Sequence, residues 1–270
     1  SSSTNSRMTA ETKVRKTSFF RSHESTLLPA LGIVAVLAVW QLAWSMGWIS
    51  PLFFSGPSAI ARKFVEMVSS GELQSNALYS GKNFLIGFAL SVVAGVPLGI
   101  VIGWYKRLGL ALNPLINAFY ATPRIALYPL IIIWFGIGSG SAIFLVFLAS
   151  VLPIMLNTMA GVQNIDPALL RSARAFCATD RQIFTTVALP ASVPFILTGV
   201  RQAVAHGLIA EIIAELMAGN HGIGFMIAQA GQTFETDTLL VGVLLTSLAG
   251  MLLSWLTERL ERYFQRWRTQ

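Results

Sequence analysis

Residues 169–190 read LLRSARAFCATDRQIFTTVALP, a stretch that sets Arg171, Arg174 and Arg181 against Asp180 and lies between two apolar runs. Those runs, 142–162 and 190–217, are each long enough to cross a bilayer, because a helix rises about 1.5 Å per residue and roughly 20 apolar residues span the hydrocarbon. A basic stretch between two such runs reads as a surface loop of a membrane protein. Asp166-Pro167 opens it as a helix start: Asp accepts from the first free N–H groups, and Pro at the first turn forfeits no helical bond. Leu169, Leu170, Ala173, Phe176 and Cys177 recur at spacings of three and four, which predicts one apolar face on a helix over 166–181, with Arg171 and Arg174 outside it. Periodicity leaves two uses open, docking another protein or lying among lipid headgroups.

The rest of the chain agrees with a membrane setting. Of 270 residues 54% are hydrophobic and 11% charged, against about 25% charged in a soluble domain. The expected fold is an all-α polytopic membrane protein, since no open sheet edge survives in hydrocarbon. Six spans are predicted, at 27–48, 81–104, 112–135, 142–162, 190–217 and 238–256, with a short helix at 60–69. Pro114, Pro123 and Pro129 interrupt the third. The domains are then a tail over 1–26, a membrane domain over 27–260 and a tail over 261–270. Basic residues divide unevenly between the two sides. One side receives Arg7, Lys13, Arg15, Lys16, Arg21, Lys106, Arg107, the three loop arginines, Arg259, Arg262, Arg266 and Arg268; the other receives Arg62 and Lys63. This bias places both termini and the basic loop in the cytoplasm. The net charge of +7 gathers in no patch among aromatics, so nucleic acid is not an expected partner. No cleavable signal peptide is expected ahead of the first span. Residues 13–22 read either as a membrane-surface segment or as a flexible arm. The lone Cys177 permits no intrachain disulfide.

The chain resembles the permease subunits of binding-protein-dependent ATP-binding-cassette importers, and within them the nitrate/sulfonate/taurine/bicarbonate branch. Their cytoplasmic signature runs Glu-Ala-Ala, then Gly, then a hydrophobic-x-Leu-Pro ending. Here Arg171-Ser172-Ala173, Cys177 and Val187-Ala188-Leu189-Pro190 stand at those places, with NPLINAFYATPRIALYPLIIIWFGIG (113–138) and LPIMLNTMAGVQNIDPALLRSA (152–173) as further matches. The resemblance implies a coupling helix that sits in a groove of a cytoplasmic ATPase, with Leu170, Ala173, Phe176 and Cys177 in the groove and Arg171 and Arg174 at its rim. Two departures stand out. Arg171 replaces an acidic residue, and Cys177 replaces a glycine, which as the poorer helix residue by about 1 kcal/mol leaves helix formation unharmed. The resemblance also implies a second copy of the chain, two ATPase subunits carrying ATP and Mg, and an external solute-binding protein. That protein would touch Gly219, Asn220, His221 and Gly222. The implied location is a bacterial inner membrane.

Charges inside spans are costly and usually face a cavity or the bundle interior. Arg201, His206, Glu211 and Glu215 fall in the fifth predicted span, and Arg124 and Tyr120 beside the proline-broken third. They are candidates for a translocation path, or for internal pairs that fix packing. Arg124 would face an anion, snorkel or pair with Glu211. Glu211, where the resembling family has an apolar residue, is the better specificity candidate. Asn157 and Gln163 read as interhelical hydrogen-bonders, and Gly87, Gly95, Gly99 and Gly103 as a small-residue packing face. No phosphate-binding GxxxxGK[ST] loop occurs, so no cofactor is expected in this chain and ATP belongs to another subunit. The expected function is import of a small anionic solute. The alternative is a polytopic membrane enzyme or assembly factor built on Arg124, His206 and Glu211.

Overall fold

Long apolar runs with few breakers resolve into helices. The computed structural model describes residues 18–48, 50 and 53–265, and among them every regular element is helical. The expectations for Arg7, Lys13, Arg15, Lys16, Arg266 and Arg268, for the Arg21 side chain and for the start of the 13–22 segment lie outside the described residues. Two compact units make up the chain, Ser1–Arg62 and Lys63–Gln270. In the first, α1 (Ser18–Ser45) exposes Leu31, Val36, Val39 and Leu42, an apolar surface suited to lipid. Trp40 Nε1–H donates to Ser55 O at 3.0 Å. The Gln41 amide bonds Ser58 twice, donating to Oγ and accepting from N–H, each at 3.1 Å, which fixes the start of α2 (Pro57–Ser70).

The second unit continues through α3 (Glu72–Trp104), α4 (Lys106–Ala121), α5 (Tyr128–Phe135), α6 (Ser139–Gln163), α7 (Pro167–Ala175), α8 (Asp180–Ile183), α9 (Leu189–Ala218), α10 (Ile223–Thr233) and α11 (Thr236–Gln265). A 3-10 turn, Arg124–Leu127, leads into α5, and a π turn, Phe184–Ala188, leads into α9. Its centre is α6, the most buried span, which packs α3 on one side and α9 on the other. Small residues set that closeness. A Cβ added to Gly99 would lie 2.5 Å from Met155 O, and at Gly87 2.6 Å from Ile143 O. Gly95 and Gly103 meet Val151 and Met159 in the same way, so the glycine face of α3 is its contact with α6. Hydrogen bonds along the α6–α9 seam run from Ser150 Oγ to Ala203 O (3.2 Å) and from Asn157 Nδ2 to Gln202 Oε1 (3.1 Å).

Four helical runs are long and apolar enough to cross a membrane: α3, α6, the run Asp180–Ala218 through α9, and α11. Lys106–Ala121 and Arg124–Phe135 pass together as a fifth, bent by 82°. The apolar part of α1, Leu31–Ser45, is shorter. The six spans predicted thus correspond to four, or five with the bent pair. Of the three prolines in that pair, one makes the break. Thr122 before Pro123 is extended (φ −71°, ψ 129°), the conformation that a following proline imposes. Pro114 sits inside α4, and Pro129 starts α5 without harm. A further helix, α10, appears where sequence predicts a loop over 218–237; it buries Ile223, Met226 and Ala230 and packs against α9 and α11.

Candidate functional site

The charged residues of α9 go to different places. Near its C-terminal end Glu215 is buried, and its carboxylate accepts from Ser80 Oγ at 2.8 and 2.9 Å and from the Gly224 N–H at 2.8 Å. Ser80 Oγ in turn accepts from the Ile223 N–H (2.9 Å), and Asn76 Oδ1 from the Gly222 N–H (2.9 Å). Glu215 therefore fastens the 219–224 loop to α3. Gly222 has φ +106°, and a side chain there would overlap the Glu215 carboxylate, so glycine is required by both conformation and space. Asn220 and His221 remain exposed on this loop, with Tyr79 beside both, 3.4 Å from Asn220 Oδ1 and edge-on to the His221 ring at 5.7 Å; Gly219 is half-buried. Asn76 and Ser80, one helical turn apart, were missed by sequence reasoning because a polar pair at a span's start reads as ordinary interfacial residues.

Glu211 is also buried, with the Asn83 side chain and the Glu215 carboxyl as its polar neighbours. It borders a cavity of about 180 Å³ with Ser80, Phe84, Leu208 and Thr246. Arg124 lies elsewhere. Its NH1 donates to Ala149 O at 3.0 Å, and its guanidinium sits 5.6 Å from the centre of the exposed Tyr120 ring. Among the described residues the ion pairs of the membrane helices do not include Arg124, so the suggested pairing with Glu211 is absent. Arg124 comes instead near the exposed His206, close enough for its charge to act on the imidazole. The trio Arg124, His206 and Glu211 is not assembled. Arg201 is engaged too: it pairs with Glu261 of α11 at 3.4 Å, and Glu261 accepts from Thr198 Oγ1 at 3.3 Å.

The basic loop is two short helices rather than one. Asp166 caps α7 by accepting from the Ala168 N–H at 2.7 Å. The helix then ends where Cys177 adopts φ +56°: its N–H bonds Arg174 O at 2.9 Å, and the Ala178 N–H bonds Ala173 O at 3.1 Å. This pair of bonds is the Schellman ending, whose left-handed residue is ordinarily glycine. Thr179 and Gln182 restart the helix as a reciprocal capping box. Cys177 thus stands outside the helix that sequence drew through it. Leu170 is half-buried against a cluster of Val162, Ile165 and Ala188, with Phe184 packed edge-on to Trp104 nearby. Ala173 is half-buried, Arg171, Arg174 and Cys177 are exposed, and Phe176 is 87% exposed at the turn. Behind the loop opens a cavity of about 720 Å³ bordered by Lys106, Asn113, Gln163, Arg174 and Asp180.

Residues 95–269 match the family described as binding-protein-dependent transport system inner membrane component. Over 237 residues, 87% of this chain and 89% of the relative, the sequence is 37% identical to SsuC of Escherichia coli (strain K12), named as an aliphatic sulfonates transport permease protein. It is 31% identical to the taurine transport system permease protein TauC of the same organism, over 88% of this chain and 89% of that one. It is 28% identical to the nitrate import permease protein NrtB of Leptolyngbya laminosa, over 83% and 82%. Among solved structures, a chain of the inward-facing MetNI methionine ABC transporter superposes with a TM-score of 0.65 at 18% identity, over 73% of this chain and 97% of that one. An amino acid ABC transporter crystallised with histidines gives 0.57 at 16%, over 75% and 97%.

Proposed function

The chain belongs to the binding-protein-dependent transport system inner membrane components and is the permease subunit of an ABC importer in the sulfonate, taurine and nitrate branch, and on that premise we propose how its parts divide the work. The permease forms the translocation path. Two copies would enclose it, two cytoplasmic ATPase subunits carrying ATP and Mg would drive it, and an external binding protein would deliver a small anionic solute. In this reading α1, α3, the bent α4–α5 pair, α6, α9 and α11 give six crossings, with both termini and the basic loop in the cytoplasm of an inner membrane.

One observation carries the coupling role: Phe176, a large apolar side chain, is 87% exposed at the tip of a loop whose two helices are both capped. We read this exposed aromatic on a capped, basic turn as the anchor of a docking surface that Leu169 extends. Arg171, Arg174 and Cys177 surround Phe176 as the rim, and Leu170 and Ala173 hold the turn to the body. Because Leu170 packs on the end of α6 and on Ala188 before α9, a push at Phe176 reaches both central helices. Asn220 and His221, presented by the loop that Glu215 fastens, with Gly219 and Gly222 giving it shape, would meet the binding protein. Gentle detergent extraction tests the assignment. The permease should co-purify with a nucleotide-binding subunit whose ATP hydrolysis the binding protein stimulates; a stable permease isolated without any such subunit contradicts it.

A further inference from the structure

A guanidinium half-way across a membrane needs a reason. Ala149, which accepts the Arg124 hydrogen bond, lies near mid-length of α6. The next residue fixes its level against α9: Ser150 Oγ bonds Ala203 O at 3.2 Å, and a Cβ on Gly207 would sit 2.6 Å from the same Oγ. His206 stands between those two α9 residues in sequence, at the same depth, and is exposed. Gln202, one turn away on the same face, is also exposed and bonded to Asn157. Arg124 follows the 82° bend beside Pro123, and its bond to Ala149 O sets it at this level. Arg124 has five N–H donors. One meets Ala149 O, the Tyr120 ring covers a face of the group, and no carboxylate compensates its charge among the described residues.

We propose that Arg124, Tyr120 and His206 form an oxyanion subsite at mid-path, where a sulfonate-like or nitrate-like group exchanges hydration water for guanidinium N–H donors. The inference rests on the anion-importer reading above. The unpaired charge lowers the barrier that the hydrocarbon raises against an anion. One charged donor group with a flanking phenol and imidazole attracts a planar or tetrahedral oxyanion without trapping it, and a path requires that release. Glu211 and Glu215 are turned away, one towards its own cavity and the other into the loop bonds, so no carboxylate repels the solute there.

The test uses the assembled complex of permease and ATPase subunits with Cys177→Ser as background and Gln202→Cys as reporter. Methanesulfonate should slow alkylation of that cysteine by N-ethylmaleimide, whereas uncharged dimethyl sulfone at the same concentration should not. Arg124→Gln should abolish the protection and Arg124→Lys should keep part of it. In proteoliposomes Arg124→Gln should slow ATP-driven uptake of the delivered solute by about tenfold to a hundredfold, the usual value of a hydrogen bond to a charged group, with assembly unchanged. Absence of protection in the parent, or equal protection and uptake in a correctly assembled Arg124→Gln, overturns the subsite. If the wild-type complex imports only uncharged or cationic solutes, the anion reading falls and the subsite with it.

Discussion

Cys177 sits at φ +56°, where an L side chain costs about 1–2 kcal/mol and glycine almost nothing. A helix-based reading of the sequence makes Cys177→Gly a slight loss of helix propensity; the turn geometry reverses the sign. Cys177→Gly should raise the stability of the permease by about 1 kcal/mol, and Cys177→Val, β-branched at the same φ, should lower it. Thermal unfolding in detergent, followed by loss of the monodisperse peak, measures both. A destabilised glycine variant would mean that the loop is helical through this position. Residue identity alone could not disclose the turn, because LRSARAFCATD has acceptable helix formers throughout. Thr179 with Gln182 held the clue, as a legible capping box that restarts the helix.

At the scale of elements, the glycine face of α3 was legible, and its partner was not: spacing alone fits contact within a subunit or across two. The structure gives the face to α6. Gly99→Ala should therefore cost about 1–3 kcal/mol, because its Cβ would press on the Met155 backbone, which cannot yield as a side-chain tip can. Gly81→Ala, on the same helix with nothing within 4 Å, is the control and should melt no lower than wild type, since alanine is the better helix residue. Equal melting of the two variants would move the glycine contact off α6. Four of the six predicted spans, or five with the bent pair, were readable from apolar length. α10 was not, since glycines on its N-terminal side and Gln229 and Gln232 within it read as loop, although Ile223, Met226 and Ala230 have helical spacing. The bend between α4 and α5 was readable in kind from its three prolines; only backbone geometry picks out Pro123.

For the whole molecule, the proposed mechanism has the path and its drive meet at the two central helices, α6 and α9. The distribution of basic residues predicts an orientation: cysteines at Asn220 and Lys106, in a Cys177→Ser background, should differ, the first reacting with an impermeant thiol reagent added to intact cells and the second only after lysis. Equal labelling would contradict that orientation. The charged residues of α9, which sequence leaves as path lining or internal pairs, go separate ways: Glu215 serves the loop, Arg201 serves α11, Glu211 borders its own cavity, and His206 faces outward near Arg124. Charge alone could not separate them, because which side of α9 each occupies depends on helices distant in sequence. Phe176→Asp in the solubilised complex tests whether the turn at Phe176 seats in an ATPase and moves α6 and α9. Burying an unpaired carboxylate costs about 3–5 kcal/mol, so ATPase subunits should separate from the permease on a sizing column and stimulation of hydrolysis by the binding protein should be lost. A Phe176→Asp complex that stays assembled and remains stimulated would contradict the claim and leave the loop on the lipid surface.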